Sequence, residues 1–382
     1  MNPTIGAATR VPFLDLRAQY EPLRAEIDAA LVEVLQSGRF VLGPPVERFE
    51  QAFAAYVGAA HAVCVSSGTA ALQLALMASG LEPGGEVIIP ANTFIATAEA
   101  VIWAGGKPVL ADVREEDSNI DPEDVERRIT SRTRAIIPVH LYGRPARIDD
   151  ILDVARRHGL SVVEDACQAH GAEYRGRKVG SLAQGAAFSF YPGKNLGAYG
   201  EGGAVVTNDA EVAARVRTLR DHGQVEKYDH AVIGHNFRLD ALQGAVLGVK
   251  LSHLDDWNSA RRQVAAWYRE ELSGLPLRLP GEDSEGGHVY HLFVVRAERR
   301  EEFRSFLAER GVETLIHYPI PLHRQRALAS ECAGGEFPVA ERLAREIVSL
   351  PIYPEMTRAQ VGCLGDAARS FFAPAGFQGG GR

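Results

Sequence analysis

The stretch AAFSFYPGKNLGAYGEGGAVVT, residues 186–207, sets two short apolar runs, AAFSF (186–190) and GAVVT (203–207), on either side of a glycine-rich connection that carries Lys194. The connection, 191–202, has no helical pattern, which predicts a direct antiparallel pairing of the two strands. Upstream, five more runs alternate with helical patterns: HAVCV (61–65), EVIIP (86–90), PVLAD (108–112), RAIIPVH (134–140) and LSVVED (160–165). These runs are nearly continuous in apolar residues, as strands covered on both faces are. The fold class that follows is α/β, a seven-stranded, mostly parallel sheet between helices.

Helix end signals agree. Asp149 is placed to cap IDDILDVARRHG, which stops at Gly159, and Pro44 and Pro45 open VERFEQAFAAYVG, which stops at Gly58. Residues 240–272, DALQGAVLGVKLSHLDDWNSARRQVAAWYREEL, read as one long connecting helix. A turn-rich PLRLPGEDSEGGH follows, then YHLFVVR, a helix near 303–310 and VETLIHY, which together predict a small α+β domain. The expected division is a large domain with an N-terminal arm (1–250), a small C-terminal domain (251–372) and a disordered tail, APAGFQGGGR (373–382).

With 382 residues, the chain exceeds the roughly 150 residues of one typical domain. At 46% hydrophobic and 24% charged residues it has the composition of a globular protein rather than a disordered one. A net charge of −8 disfavours phosphate backbones and anionic membranes as partners. No apolar run reaches the ~18 residues of a membrane span, and the N-terminus lacks the apolar block of a secretory signal. Cys64, Cys167, Cys332 and Cys363 are widely spaced, so neither a disulfide framework nor a metal site is indicated. A cytoplasmic protein is the expectation.

Three segments could carry chemistry. SSGTAAL (66–72) joins a strand end to a helix start, where Gly68 lets the backbone approach and unpaired N–H groups could hold a phosphate. An ordinary threonine cap, Thr69, explains the same residues. VVEDACQAHG (162–171) ends a buried strand at Glu164 and Asp165, where a carboxylate could pair with a cationic ring nitrogen. Alternatively, Asp165 caps a turn and His170 is a core histidine. Lysine occurs only at Lys107, Lys178, Lys194, Lys227 and Lys250, and of these Lys194 alone lies just beyond a buried strand amid small residues, where desolvation favours a nucleophilic amine. A carbonyl-forming lysine, a carboxylate at a neighbouring strand end and a helix-terminal phosphate site together describe pyridoxal phosphate. The pair in HVYH (288–291) reads as strand packing rather than metal ligation.

From FLDLRAQY through SGTAAL, PANTFIA, VHLYG, EDACQAHGA, SFYPGKNLGAYGEGG and GHNFRLDALQ to LIHYPIPLH, the chain resembles the DegT/DnrJ/EryC1/StrS-type nucleotide-sugar aminotransferases, which are fold type I enzymes dependent on pyridoxal phosphate. The resemblance implies that Lys194 tethers the cofactor as a Schiff base, that Asp165 pairs with its pyridinium nitrogen and that Gln168 approaches the ring. It further implies that Ser189, with Gly68, Thr69 and Ala70 at the helix start, holds the phosphate, and that Phe94 stacks on the ring. Asn236 would reach the cofactor phosphate of the partner subunit, giving a homodimer with shared sites. Tyr191, Lys227 and His317 match positions near the hexose and its diphosphate.

The implied reaction is a ping-pong transamination from L-glutamate or glutamine to a dTDP- or UDP-linked keto-deoxyhexose, at C3 rather than C4. In it Lys194 acts as tether, base and acid. A cyclitol ketone is the rival substrate. The related sugar dehydrases carry histidine where Lys194 stands, and a DNA-binding regulator sits poorly with the acidic charge.

Overall fold

The computed structural model describes residues 10–281, 287–332 and 334–373. Its main sheet has seven strands in the order His61–Val65, Gly203–Thr207, Gly185–Ser189, Ser161–Asp165, Thr133–Ile136, Glu86–Pro90, Lys107–Ala111. The last five in that order pair parallel, whereas Gly203–Thr207 runs antiparallel to both its neighbours. The sequence predicted the seven strands and the antiparallel pairing after the lysine loop. The second antiparallel contact, with His61–Val65, had no sequence signal because it joins segments far apart in the chain.

Successive side chains leave a strand on opposite faces, and that alternation builds two cores. Val63, Val65, Val87, Ile89, Val163 and Val205 point to one face, where the helices Gly68–Ala78, Ile95–Trp103 and Ala210–Arg220 cover them. Ala62, Cys64, Ile88, Val162, Phe188 and Val206 point to the other, under Pro44–Val57, Ile148–His158 and Ala241–Leu251. The parity matters for the site. Asp165 shares the face of Val163, toward the first helix layer, and Glu164 shares the face of Val162. Glu164 is fully buried there, accepting from Gly180 N at 2.8 Å, from Leu182 N and Ala183 N at 2.9 Å, and pairing with His140 Nε2 at 3.0 Å. It is a structural carboxylate, fixing the loop that follows the hairpin Glu173–Tyr174 and Arg177–Lys178.

A third core gathers Val264, Tyr268, Phe293, Val295, Phe303, Val348 and Leu364. Here Phe293–Arg296 pairs antiparallel with Ile347–Leu350, flanked by the helices Leu254–Glu271, Arg300–Glu309 and Arg358–Phe372. Three expectations need correction. The long helix of 240–272 is two helices, Ala241–Leu251 and Leu254–Glu271, interrupted at Ser252 and His253. The break lets Leu247, Leu251 and Leu254 pack into the main body while Val264 and Tyr268 pack into the third core. VETLIHY is not a strand but makes two isolated bridges, Val312 to Val11 and Leu315 to Ser349, because Ile347–Leu350 takes the edge beside Phe293–Arg296. Asp149 lies inside the first turn of Ile148–His158, where it pairs with Arg175 at 2.7 Å instead of capping. The expected tail, apart from Ala373, lies outside the described residues, as does part of PLRLPGEDSEGGH.

Among the described residues no helix is long and apolar enough to cross a membrane. The four cysteines are free.

Candidate active site

The carboxyl ends of the parallel strands open into a cavity of about 540 Å³ whose lining includes Gly68, Thr69, Phe94, Asp165, Gln168 and Ser189, together with Tyr191, Lys194 and His317. Nine residues singled out in the sequence therefore meet in one cleft. Strand ends are where an open α/β sheet leaves room for a ligand, because the crossover loops diverge there.

Each wall has a local cause. Ser67 caps the helix Gly68–Ala78, its hydroxyl accepting from Ala70 N at 3.1 Å, so the cap is Ser67 and not Thr69. Gly68 and Thr69, whose first-turn N–H groups the cap does not bond, line the cavity together with Ser189, so the helix start and two hydroxyl-bearing residues border it. Ala70 is buried, and its N–H is held by the cap. Gly68 is required by close approach: a methyl there would lie 2.6 Å from Ser189 Cβ and 2.9 Å from Cys167 Sγ.

Asp165 ends its strand with Oδ2 accepting from Thr97 Oγ1 at 2.9 Å and Oδ1 accepting from Cys167 N at 3.2 Å. Both bonds fix the carboxylate while leaving lone pairs for a further donor. Gln168 is held at both ends, its Oε1 accepting from Tyr142 N at 2.7 Å and its Nε2 donating to Tyr318 Oη at 3.2 Å. Phe94 is half exposed over the cleft, 5.2 Å from the Tyr318 ring.

Lys194 sits in a turn closed by its own N–H to the Tyr191 carbonyl at 2.9 Å. Burial disfavours its ammonium and lowers its pKa, against the opposing pull of Cys167 and Asp165. The imidazoles nearby are kept neutral for the same reason. Burial, then the positive charge of Lys194, brings His317 down to about 4, and the same two causes hold His291 well below the usual histidine range. His317 Nδ1 shares a hydrogen bond of 2.8 Å with Ser349 Oγ, which fixes its ring.

Two of the sequence candidates lie elsewhere. Lys227 is exposed, its amine 5.2 Å from the Tyr228 ring, and Asn236 is exposed with its backbone bridged to Asp221; neither lines the cleft of its own chain. His170 is a core histidine packed 5.4 Å from Phe188, with a pKa pulled down to about 3 by burial. The HVYH pair divides. His288 packs as expected, accepting from Tyr290 N at 3.0 Å, but His291 lines the cleft, contrary to the strand-packing reading. Sequence reasoning also missed Thr97 and Tyr318. Thr97 could have been found, since it lies one helical turn beyond Thr93, to which its hydroxyl bonds at 3.0 Å. Tyr318 carried no local signal, because a change of element brings it over Gln168.

The donor set fits pyridoxal phosphate. Helix-start N–H groups and two hydroxyls suit a phosphate, a doubly anchored carboxylate with free lone pairs suits a protonated pyridine, and a primary amine of lowered pKa suits an aldehyde. A site with these parts in this fold defines an aminotransferase. The chain belongs to the DegT/DnrJ/EryC1/StrS aminotransferase family, whose model matches residues 22–368. It is a pyridoxal-phosphate-dependent enzyme of fold type I.

Among its relatives, the dTDP-3-amino-3,4,6-trideoxy-alpha-D-glucose transaminase of Streptomyces venezuelae is 53% identical over 364 residues, covering 95% of this chain and 96% of that protein. The dTDP-3-amino-3,6-dideoxy-alpha-D-galactopyranose transaminase of Aneurinibacillus thermoaerophilus is 47% identical, covering 92% and 96%. The crystal structure of S. venezuelae DesV in complex with ketimine intermediate superposes with a TM-score of 0.93 at 52% identity, covering 96% of this chain and 100% of that one.

Proposed function

We propose that the enzyme transfers an amino group from L-glutamate, or glutamine, to the C3 ketone of a dTDP- or UDP-linked keto-deoxyhexose, in amino-sugar biosynthesis. The observation that carries this reading is the 53% identity, along almost the whole of both chains, to a transaminase named for a 3-amino sugar. A second relative, at 47%, is also named for a 3-amino sugar. Pyridoxal phosphate, when bound, supplies an electron sink for the carbanion left at the donor carbon.

The chain's own residues divide the remaining work. Lys194 Nζ is the tether and, once free, removes the proton from Cα of the amino donor; its lowered pKa favours the basic form that this needs. Asp165, held by Thr97 and the Cys167 N–H, keeps a proton on the ring nitrogen. Gly68, Thr69 and Ser189 anchor the phosphate, and Phe94 covers the ring. Tyr191 and His317 face the sugar, His317 as a neutral imidazole able to donate or accept. Lys227 and Asn236, lying outside their own cleft, serve the partner's site in a homodimer.

The division into a large domain, 1–250, and a small one, 251–372, belongs to the same reading. It is supported by the separate third core and by the break before Leu254–Glu271. The test is to incubate the protein with glutamate or glutamine and dTDP- and UDP-linked 3-keto and 4-keto hexoses, identifying products by mass and NMR. A 3-amino sugar is expected. Product formed only from 4-keto sugars, or only from a cyclitol ketone, contradicts the proposal.

A further inference from the structure

Lys250 belongs to the helix Ala241–Leu251, and its side chain is fully buried. Its ammonium donates to the Gly197 carbonyl at 2.5 Å and lies 5.1 Å from the Tyr199 ring and 5.8 Å from the Trp257 ring. Among the described residues no carboxylate comes within ion-pair distance of it. Burial lowers its pKa to about 8, and Glu355 is the anion that opposes the shift. A buried ammonium held by one carbonyl and two ring faces is costly to the fold, far more so than an apolar side chain of the same length.

What it grips explains why the position tolerates that cost. Gly197 lies three residues beyond Lys194 and is folded so tightly onto the turn that a methyl on it would lie 2.3 Å from the Pro192 carbonyl oxygen. Pro192 stands two residues before Lys194, so the two sides of the turn meet at Gly197, the residue whose carbonyl Lys250 holds. Two further anchors flank the same turn from the same pair of helices. Asn258 Oδ1 accepts from Asn195 Nδ2 at 2.8 Å, and Gln243 Oε1 accepts from Tyr199 N at 2.8 Å. These are neutral amides, whereas Lys250 contributes a charge-assisted bond, the stronger kind.

We propose that Lys250 is a positioning residue for Lys194: its buried ammonium clamps the Gly197 carbonyl and so fixes the turn from which the Lys194 amine reaches the cleft. The proposal rests on Lys194 being the residue that condenses with the cofactor aldehyde, forming a C=N bond with loss of water.

The experiment compares full-length wild type, Lys250→Met, Lys250→Gln and Lys250→Arg, each stripped of cofactor and then mixed with pyridoxal phosphate. The rate of covalent attachment is followed by borohydride trapping and peptide mass, next to melting temperature, cofactor affinity, kcat and KM. For Lys250→Met the expected result is attachment and kcat slowed by about tenfold or more, as for a displaced reacting group, with KM for the amino donor within about twofold. Lys250→Arg, which keeps charge and donors, recovers most of the loss.

If the methionine variant does not fold, Lys250→Gln is read alone. Attachment slowed by about threefold or more, in a protein that melts near wild type, supports the clamp. Wild-type attachment and kcat in a folded Met or Gln variant overturns the proposal. So does a loss that only parallels the fall in melting temperature, or failure of both variants to fold, since each makes the lysine structural. Trapping on a lysine other than Lys194 in the wild type would instead sink the assignment of Lys194, so the two failures are told apart.

Discussion

The chemistry proposed for Lys194 depends on its surroundings. The same side chain on a solvated helix would be a cation at neutral pH, whereas here burial shifts it toward the free amine. Lys194→Ala should therefore bind pyridoxal phosphate without a covalent link and lose turnover, while keeping the fold because the turn is made by backbone bonds. Asp165→Asn should still fold, since its amide oxygen keeps the Cys167 N–H while its Nδ2 donates to Thr97 Oγ1, whose hydroxyl proton can turn to Thr93 Oγ1. The amide cannot hold a proton on the ring nitrogen, so kcat should fall by about a hundredfold or more with little change in donor KM, measured by steady-state kinetics.

At this scale the sequence singled out Lys194 among five lysines and Asp165 by its place at a strand end, and both line the cleft. It could not separate His288 from His291, because two histidines three residues apart differ only in what packs against them. Nor could it show that Lys250 is buried, since a lysine in a helix is ordinarily solvated and only the packing of its helix against Trp257 and the loop of Gly197 and Tyr199 reveals otherwise.

The helix Gly68–Ala78 and the strand Gly185–Ser189 form the element pair that the proposed phosphate site rests on. Their closeness at Gly68 makes a direct prediction. Gly68→Ala must push the helix start away from Ser189 and Cys167, which costs about 1–3 kcal/mol of stability by overpacking and misplaces the phosphate donors. Cofactor affinity should drop more than melting temperature does; equal wild-type affinity by equilibrium dialysis would count against a phosphate site at this helix. Elements were legible where the apolar runs were nearly continuous, as in Glu86–Pro90 and Gly203–Thr207, both buried at every position. They were not legible where partners decide. VETLIHY has the composition of a strand, yet its edge is occupied by Ile347–Leu350, and the break at Ser252 and His253 serves two different cores.

Considered as a whole, the molecule holds several histidines neutral in its interior, and this sets its behaviour in acid. His170 and His288 are lowered to about 3, and His317 to about 4, in each case chiefly by burial. Their folded pKa values lie below the unfolded one, so the unfolded chain binds more protons between the two. Stability is therefore complete above about pH 6.5 and falls as pH drops toward 4, each fully buried imidazole contributing up to about 1.4 kcal/mol per pH unit. Thermal melting across that range should show the decline, and His170→Phe should make it shallower. A flat profile would mean that these rings find water or charge partners in the folded protein.

The second prediction at this scale concerns the exposed segment bearing Lys227 and Asn236. Mixed dimers of Lys194→Ala and Asn236→Ala subunits should recover activity that neither homodimer has, because one site then has both side chains intact. Absence of recovery in verified heterodimers would place the phosphate contacts within one chain.

The central claim is tested most directly by one labelling measurement. The purified protein is incubated with pyridoxal phosphate, reduced with borohydride, digested and mapped by mass. The account predicts a phosphopyridoxyl group on the peptide containing Lys194, and none when glutamate has first been allowed to consume the bound aldehyde. An unlabelled Lys194, or label confined to Lys107, Lys178, Lys227 or Lys250, would contradict it.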